Sequence, residues 1–247
     1  MITAIIQARV NSSRLPNKIF AEIMGQPLIW HVINRIRFSK RITNIIIATS
    51  MNKLDDKLEE WCRDNFIQVF RGSENNVLER FFFSAKKCSS KIIVRITADD
   101  PFKDPIILDN VIDMLVENNL DFAYNNNPPT FPEGLDTEVF TMQSLEKAYQ
   151  NSVDEYEHEH VTQYFYRNKN KFKQKNFKYS EDISYLRWTI DKKEDLEMTR
   201  QVYNHLYQVG EIFYMKDILA LLKENPQIAK INENVARSSM YINKENQ

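Results

Sequence analysis

Short runs of consecutive apolar residues alternate with segments whose apolar residues recur every three or four positions, the pattern of βαβ units around a mostly parallel sheet. TAIIQA (3–8) reads as the first strand. In PLIWHVINRIRF (27–38), Leu28, Val32 and Ile36 share a helical face with Ile29 and Ile33, behind a proline suited to a helix start. The alternation then predicts strands at 44–49, 68–71, 91–97 and 121–125, and helices at 55–65, 77–87 and 107–119. NNNPPTFPEG (125–134) breaks the pattern as a long loop. Beyond it the spacing predicts strands at 137–141, 172–179 and 185–190 and helices at 145–151, 156–167, 194–207 and 215–224. No repeat or linker divides the chain, which reads as one α/β domain over 1–231 followed by a polar tail over 232–247.

The 247 residues, 43% of them hydrophobic, suffice for one large α/β core. With 33 basic against 34 acidic side chains, the net charge of -1 lacks the basic excess of a general nucleic-acid binder. No nucleic-acid partner is expected, although a local anion site is compatible with this balance. No apolar run approaches the roughly 18–20 residues of a membrane helix, and the first residues lack a basic leader segment. A cytoplasmic protein is expected. Cys62 and Cys88 form no CxxC pair and read as buried small hydrophobes. The four glycines match neither GxGxxG nor GxxxxGK[ST], so any phosphate cradle uses other residues.

One such cradle is ARVNSSRLPNK (8–18), which follows the first strand and carries Arg9, Arg14 and Lys18 with the hydroxyls of Ser12 and Ser13. Loops at the carboxyl ends of strands line the ligand crevice of α/β sheets, and cations there suit phosphates. A solvated basic turn is the alternative. RITADDP (95–101) delivers Asp99 and Asp100 at the end of a buried strand. A magnesium ion takes one or two such carboxylates and completes its shell with phosphate and water, whereas Asp before Pro also simply makes a turn. WTIDKKEDLE (188–197) supplies Asp191, which reads as a further ligand or as a helix N-cap. Together the basic loop and the two aspartates suit a metal and a triphosphate. Asp136 and Glu138 in GLDTEVF (134–140) fall near an acceptor pocket or anchor the loop. His158 and His160, two apart on a helix, face different sides; this disfavours joint ligation and leaves one for substrate. Phe81, Phe82 and Phe83 read as core.

In these segments the chain resembles the cytidylyltransferase family of CMP-ulosonic and CMP-sialic acid synthetases, and especially its SpsF-like spore coat polysaccharide branch. The resemblance rests on IIQARVNSSRLPNK, IIIATS, VFRGSENNVLERF, IVRITADDP, GLDTEVF, EHVTQYFY and LRWTIDKKEDLE, in order from residue 1 to about 207. It implies one nucleotide-diphospho-sugar transferase-like (Rossmann-like, GT-A-type) domain that transfers CMP from CTP to a sugar acid or related acceptor, with magnesium as cofactor. Ala8, Arg9, Ser12, Ser13, Arg14 and Lys18 match the triphosphate loop, and Asp99 and Asp191 the metal-binding aspartates. Thr49, Arg71, Gly72 and Ser73 match the base and ribose pocket, while Asp100, Asp136, Glu138 and His160 fall on the acceptor side. Arg14, Lys18, Asp99 and Asp191 are then the catalytic set. The chain departs from the ulosonic acid enzymes in TADDP, and from its own branch in Asn75 and Asn76 where acidic residues are common. The resemblance further implies a homodimer, with the segment 151–179 at its interface. A glycosyltransferase using a preformed nucleotide-sugar and a non-catalytic nucleotide-binding subunit are the competing classes.

Overall fold

β1 (Ile2–Gln7) lies inside the sheet because it tolerates burial on both faces: Ala4, Ile5 and Ile6 are all fully enclosed. In a computed structural model that describes residues 1–12 and 14–236, it pairs in parallel with β4 (Asn44–Ser50) and β6 (Ile92–Thr97). β5 (Gln68–Gly72) continues the parallel set beyond β4. On the other side, β8 (Glu138–Thr141) joins β6 antiparallel, followed by β7 (Phe122–Tyr124) and β9 (Gln174–Asn176). The order is β5-β4-β1-β6-β8-β7-β9, with β8 running against the other six. That reversal has a functional consequence. The carboxyl ends of β1, β4 and β6 meet the amino end of β8 at one edge, where Arg95 stands opposite Glu138.

One face of the sheet is covered by α1 (Leu28–Ile36), α2 (Asp56–Asp64), α4 (Pro105–Glu117), α8 (Lys193–Leu206), α9 (Met215–Glu224) and α10 (Pro226–Lys230). The other is covered by α3 (Val77–Lys87), α5 (Met142–Asn151), α6 (Glu155–Glu159) and α7 (Gln163–Arg167), which pack on Ile5, Ile46, Ile93, Phe122 and Phe140. The apolar stripe of α1 buries Leu28, Ile29, Val32, Ile33 and Ile36, each contributing about 1.5–3 kcal/mol of transfer free energy. Asn76 caps α3 by accepting from Glu79 N at 2.8 Å. A short antiparallel hairpin, β2 (Glu22–Ile23) and β3 (Gln26–Pro27), leads into α1.

Three expectations are corrected. Residues 185–190 form no strand: their only ladder contact among the described residues is an isolated bridge to Glu133, through Glu133 N to Leu186 O at 3.0 Å and Trp188 N to Glu133 O at 2.7 Å, before Ile190 N reaches Asp99 O. Arg187 in the middle of this run turns its charge inward, and the segment crosses the sheet edge as a strap. The helix expected over 156–167 is two short ones, interrupted at Val161 with φ +23°, which lets Thr162 aim its hydroxyl at Glu138. Asn232, assigned to the polar tail, is buried and donates to Arg187 O and Asp195 Oδ1 at 3.0 and 2.9 Å. Residues 237–247 of that tail lie outside the described residues. Phe81 and Phe82 are core, whereas Phe83 is 40% exposed and packs edge-on against Tyr149. Both cysteines are buried and free.

Gly134 fixes the strap to the long loop. Its φ is +105°, and a Cβ there would stand 2.7 Å from the Trp188 carbonyl carbon and oxygen and 2.8 Å from Thr189 N. Gly134→Ala is therefore expected to cost roughly 1–3 kcal/mol for the backbone conformation alone, before the steric overlap, read as a lower urea midpoint at unchanged m-value.

Candidate active site

The loop after β1 is pinned by one carboxylate. Asp55 Oδ1 accepts from Val10 N at 2.7 Å and Asp55 Oδ2 from Ser50 N at 3.2 Å, with the Ser50 hydroxyl on the same group. This fastens the start of the loop to the end of β4. Arg9, Asn11, Ser12, Arg14 and Lys18 consequently face a cavity of about 410 Å³ at the carboxyl edge of the sheet.

Lys18 organises the centre of that cavity. Its Nζ lies 2.6 Å from Asp99 Oδ2, 2.8 Å from Asp191 Oδ1 and 3.1 Å from Ile190 O, which occupies all three ammonium donors. Arg14 Nη2 reaches the same Asp191 oxygen at 2.8 Å. Burial would lower the Lys18 pKa, but the two carboxylates outweigh it and hold the ammonium above its ordinary value. Burial would likewise raise Asp99, yet Lys18 holds it below the usual carboxylate range. The two aspartate loops are stitched together by Ile190 N donating to Asp99 O at 2.8 Å.

Asp191 does not cap α8. Asp195 takes that role, its Oδ2 accepting from Asp191 N at 3.0 Å and Lys192 N at 2.9 Å. The second oxygen of Asp191 meets Arg187 Nη2 at 3.2 Å, and Arg187 also pairs with Glu133 at 2.8 Å and Asp195 at 3.0 Å. Behind Asp99, Asp100 Oδ2 accepts from Thr97 Oγ1 at 2.6 Å and pairs with Lys103 Nζ at 2.8 Å. Burial raises Asp100, with Lys103 opposing and Asp99 reinforcing.

The end of the cavity near β8 is built from carboxylates. Glu138 Oε2 pairs with Arg95 Nη1 at 2.5 Å, and Glu138 Oε1 lies 3.0 Å from Thr162 Oγ1 and 2.7 Å from Tyr166 OH. Asp136 stands among Asp100, Glu133 and Glu138; burial, partly opposed by Lys103, and these like charges push its carboxyl up to about 7. His160 ends α6 at the same wall, its ring edge-on to Tyr156.

Of the residues singled out in the sequence, Ala8, Arg9, Ser12, Arg14, Lys18, Asp99, Asp100, Asp136, Glu138, His160 and Asp191 line this one cavity. Ser13 lies outside the described residues. Thr49, Arg71, Gly72 and Ser73 do not line it. Thr49 is fully buried, and Arg71 is tied to Asp56 at 2.6 Å, Glu59 at 2.7 Å and the carbonyls of Ser50 and Asn52. Its guanidinium is thus tied to the β4–α2 connection. Sequence reasoning passed over Arg95, Lys103, Glu133, Tyr166 and Arg187. For Arg95 and Arg187 a signal was present: a cation inside an apolar run, IIVRIT or YLRWTI, needs a buried partner.

Two carboxylates that converge on one cation fit a hard divalent ion whose remaining ligands are phosphate oxygens and water. Among the described residues no group of three or more His, Cys, Asp or Glu side chains forms a protein-only cage.

Residues 3–237 match the Cytidylyltransferase family, and the chain belongs to it. It is 31% identical over 245 residues to the spore coat polysaccharide biosynthesis protein SpsF of Bacillus subtilis, covering 94% of this chain and 98% of that one. It is 30% identical over 119 residues to the 3-deoxy-manno-octulosonate cytidylyltransferase of Geobacter sulfurreducens, about half of each chain (47% and 46%). Among solved structures, a cytidylyltransferase from Leptospira borgpetersenii superposes with a TM-score of 0.88 at 34% identity, covering 96% of this chain and 98% of that one. The α/β fold and nucleotidyltransferase class expected from the sequence are those of this family.

The Asp136 environment has a measurable signature. Because its folded pKa is raised, the ionised form is the disfavoured one in the native state, and the stability associated with this group falls as pH rises from 3.8 towards about 7. Asp136→Asn is expected to flatten that segment of the stability–pH curve and to exceed wild-type stability at pH 8, measured by urea unfolding across the range.

Proposed function

We propose that this protein catalyses attack of an acceptor oxygen on the α-phosphorus of CTP, forming a CMP-linked sugar acid or related compound and releasing pyrophosphate. The observation that carries the reading is the convergence of Lys18 and Arg14 on Asp99 and Asp191 at the carboxyl edge of the sheet. Arg9, Arg14 and Lys18 bind the triphosphate and neutralise the charge that builds on the leaving pyrophosphate as the α–β bridging bond breaks. Since the three donors of Lys18 are already taken, contact with a phosphate exchanges one of them. The oriented wall of Asp99, Asp191 and their strap holds nucleotide and acceptor in line, and positioning of this kind supplies much of the acceleration.

Asp99 and Asp191 are the residues that would hold magnesium. When bound, the ion supplies charge neutralisation at the phosphates. The acceptor is assigned to the β8 end, beside Asp136, Glu138 and His160. A sugar acid is favoured by the half-length likeness to the octulosonate enzyme, and a surface polysaccharide product by the full-length likeness to SpsF. A homodimer using the segment 151–179 belongs to the same reading, in which Val153 is 89% exposed. Among the described residues no helix is long and apolar enough to cross a membrane, in keeping with an enzyme working in the cytoplasm.

The test is pyrophosphate release from CTP and magnesium with a panel of 3-deoxy-ulosonic and nonulosonic acids. Asp99→Asn and Lys18→Met are each expected to lower kcat by about 100-fold or more. Consumption of a nucleotide-sugar without pyrophosphate would instead identify a glycosyltransferase, and CTP binding without turnover of any acceptor an inert subunit. Wild-type turnover by folded Asp99→Asn overturns the site assignment.

A further inference from the structure

Arg80, on the α3 turn that follows Val77, is wholly buried. Its Nη1 donates to Ser73 O at 2.7 Å, but Nε and Nη2 are enclosed and meet no acceptor. Those two atoms form one straight edge of the guanidinium, a pair of parallel donors. Enclosing a cationic donor pair without acceptors is costly, so the arrangement points to a partner supplied from outside the chain.

Its position indicates which part of a ligand arrives there. Side chains on a helix lean towards its amino end, which carries the Arg80 guanidinium towards the 73–76 loop. Val77 and Arg9 face the cavity, and burial together with the nearby Arg9 charge pushes Arg80 down to about 10, with the Asp55 and Glu74 carboxylates partly opposing. α3 packs over β1, β4 and β5, whereas Arg14 and Lys18 meet Asp99 and Asp191 beyond β6. A nucleotide with its phosphates at Lys18 therefore extends its nucleoside towards α3. Gly72 makes room for the Arg80 stem itself: a Cβ there would lie 2.9 Å from Phe70 Cε1 and 3.3 Å from Arg80 Cγ.

We infer that Arg80 is the base-reading residue, its Nε–H and Nη2–H engaging the adjacent O2 and N3 acceptors of cytosine. Uracil carries a proton on N3 and would set donor against donor. The inference rests on the cytidylyltransferase reading and extends it to the choice of base. Arg80 stands behind Val77 and not at the cavity surface, so base contact includes a local opening beside Val77.

Calorimetric titration of CTP and UTP with magnesium into the full chain tests this, using wild type, Arg80→Met and Arg80→Lys, with folding checked by circular dichroism. Arg80→Lys keeps the charge and a donor for Ser73 O but lacks the two-donor edge, so the test stands even where Arg80→Met fails to fold. Wild type is expected to prefer CTP by roughly ten- to a hundredfold, the discrimination of one bidentate base contact. In the variants CTP affinity falls by that factor, UTP affinity changes by less than about twofold, and the ratio approaches one. A folded Arg80→Lys that keeps the wild-type ratio, or a wild type that binds both nucleotides alike, overturns the inference and leaves the reaction class intact. Equal loss for CTP and UTP overturns it too, assigning Arg80 to phosphate. Failure of wild type to bind either nucleotide overturns the underlying reading and the inference with it.

Discussion

Lys18 stands between Asp99 and Asp191, and the geometry of the cavity follows from that ammonium. The two carboxylates come from loops 92 residues apart in the chain and would repel each other at close range. At an effective dielectric of about 20, a pair of unit charges 4 Å apart is worth about 4 kcal/mol of either sign, so one cation between two anions changes the sign of the local balance. Its consequences run outward through backbone. Ile190, whose carbonyl also accepts from Lys18, donates its own N–H to Asp99 O, so the charge contact and the loop contact reinforce each other. Arg187 and Asp195, both braced by Asn232, then hold the far side of Asp191, which gives this aspartate a fixed direction instead of leaving it as a helix cap.

The cavity is divided by charge. On the β1 loop side the wall presents Arg9, Arg14 and Lys18; on the β8 side it presents Asp136, Glu138 and Glu159. The antiparallel entry of β8 creates that division, because only a strand running against β6 brings its first residue, Glu138, level with Arg95 near the carboxyl edge. Had β8 run parallel, Glu138 would lie at the opposite end of the sheet. The division suits a reaction in which a polyanion enters at one end and a hydroxyl-bearing acceptor at the other. Burial, reinforced by the like charges of this side, keeps the Asp136 proton nearer to neutrality than that of an ordinary aspartate.

The alternating core was legible in the sequence because continuous apolar runs such as NIIIAT and helical stripes such as Leu28–Ile36 carry their own periodicity. The basic loop and Asp99 were legible because they follow such runs directly. Residues 185–190 misled because a buried apolar run has the same composition whether it joins a ladder or crosses the sheet edge. The division of α6 from α7 left no periodic trace either, since Val161 fits a helical face in sequence and departs from it only in φ. The pairings of Arg95 with Glu138 and of Arg187 with Glu133 span 43 and 54 residues, and no local pattern announces a partner at that distance. The position of Arg71 fails for a related reason. Its cationic type suits a nucleotide, but Asp56 and Glu59 on the adjoining helix reach it first.

Which charges a ligand can use is decided by exposure as much as by sign. Arg187 and Lys103 have side chains 5% and 1% exposed, each bound to buried carboxylates, and drawing either towards a substrate would leave an unpaired buried anion. They define the wall. The Arg14 side chain is 55% exposed and held by a single contact to Asp191, so exchanging that contact for a phosphate oxygen leaves the buried Asp191 carboxylate still paired with Lys18 and Arg187. Lys18 lies between these cases, 12% exposed with three bonds. Releasing one of its carboxylates is favourable only when another cation takes its place. In the proposed reaction the aspartate pair and a cation-accompanied polyphosphate would complement each other: the incoming phosphate would bring the acceptors that Lys18 needs, and its counter-ion the charge that Asp99 and Asp191 need.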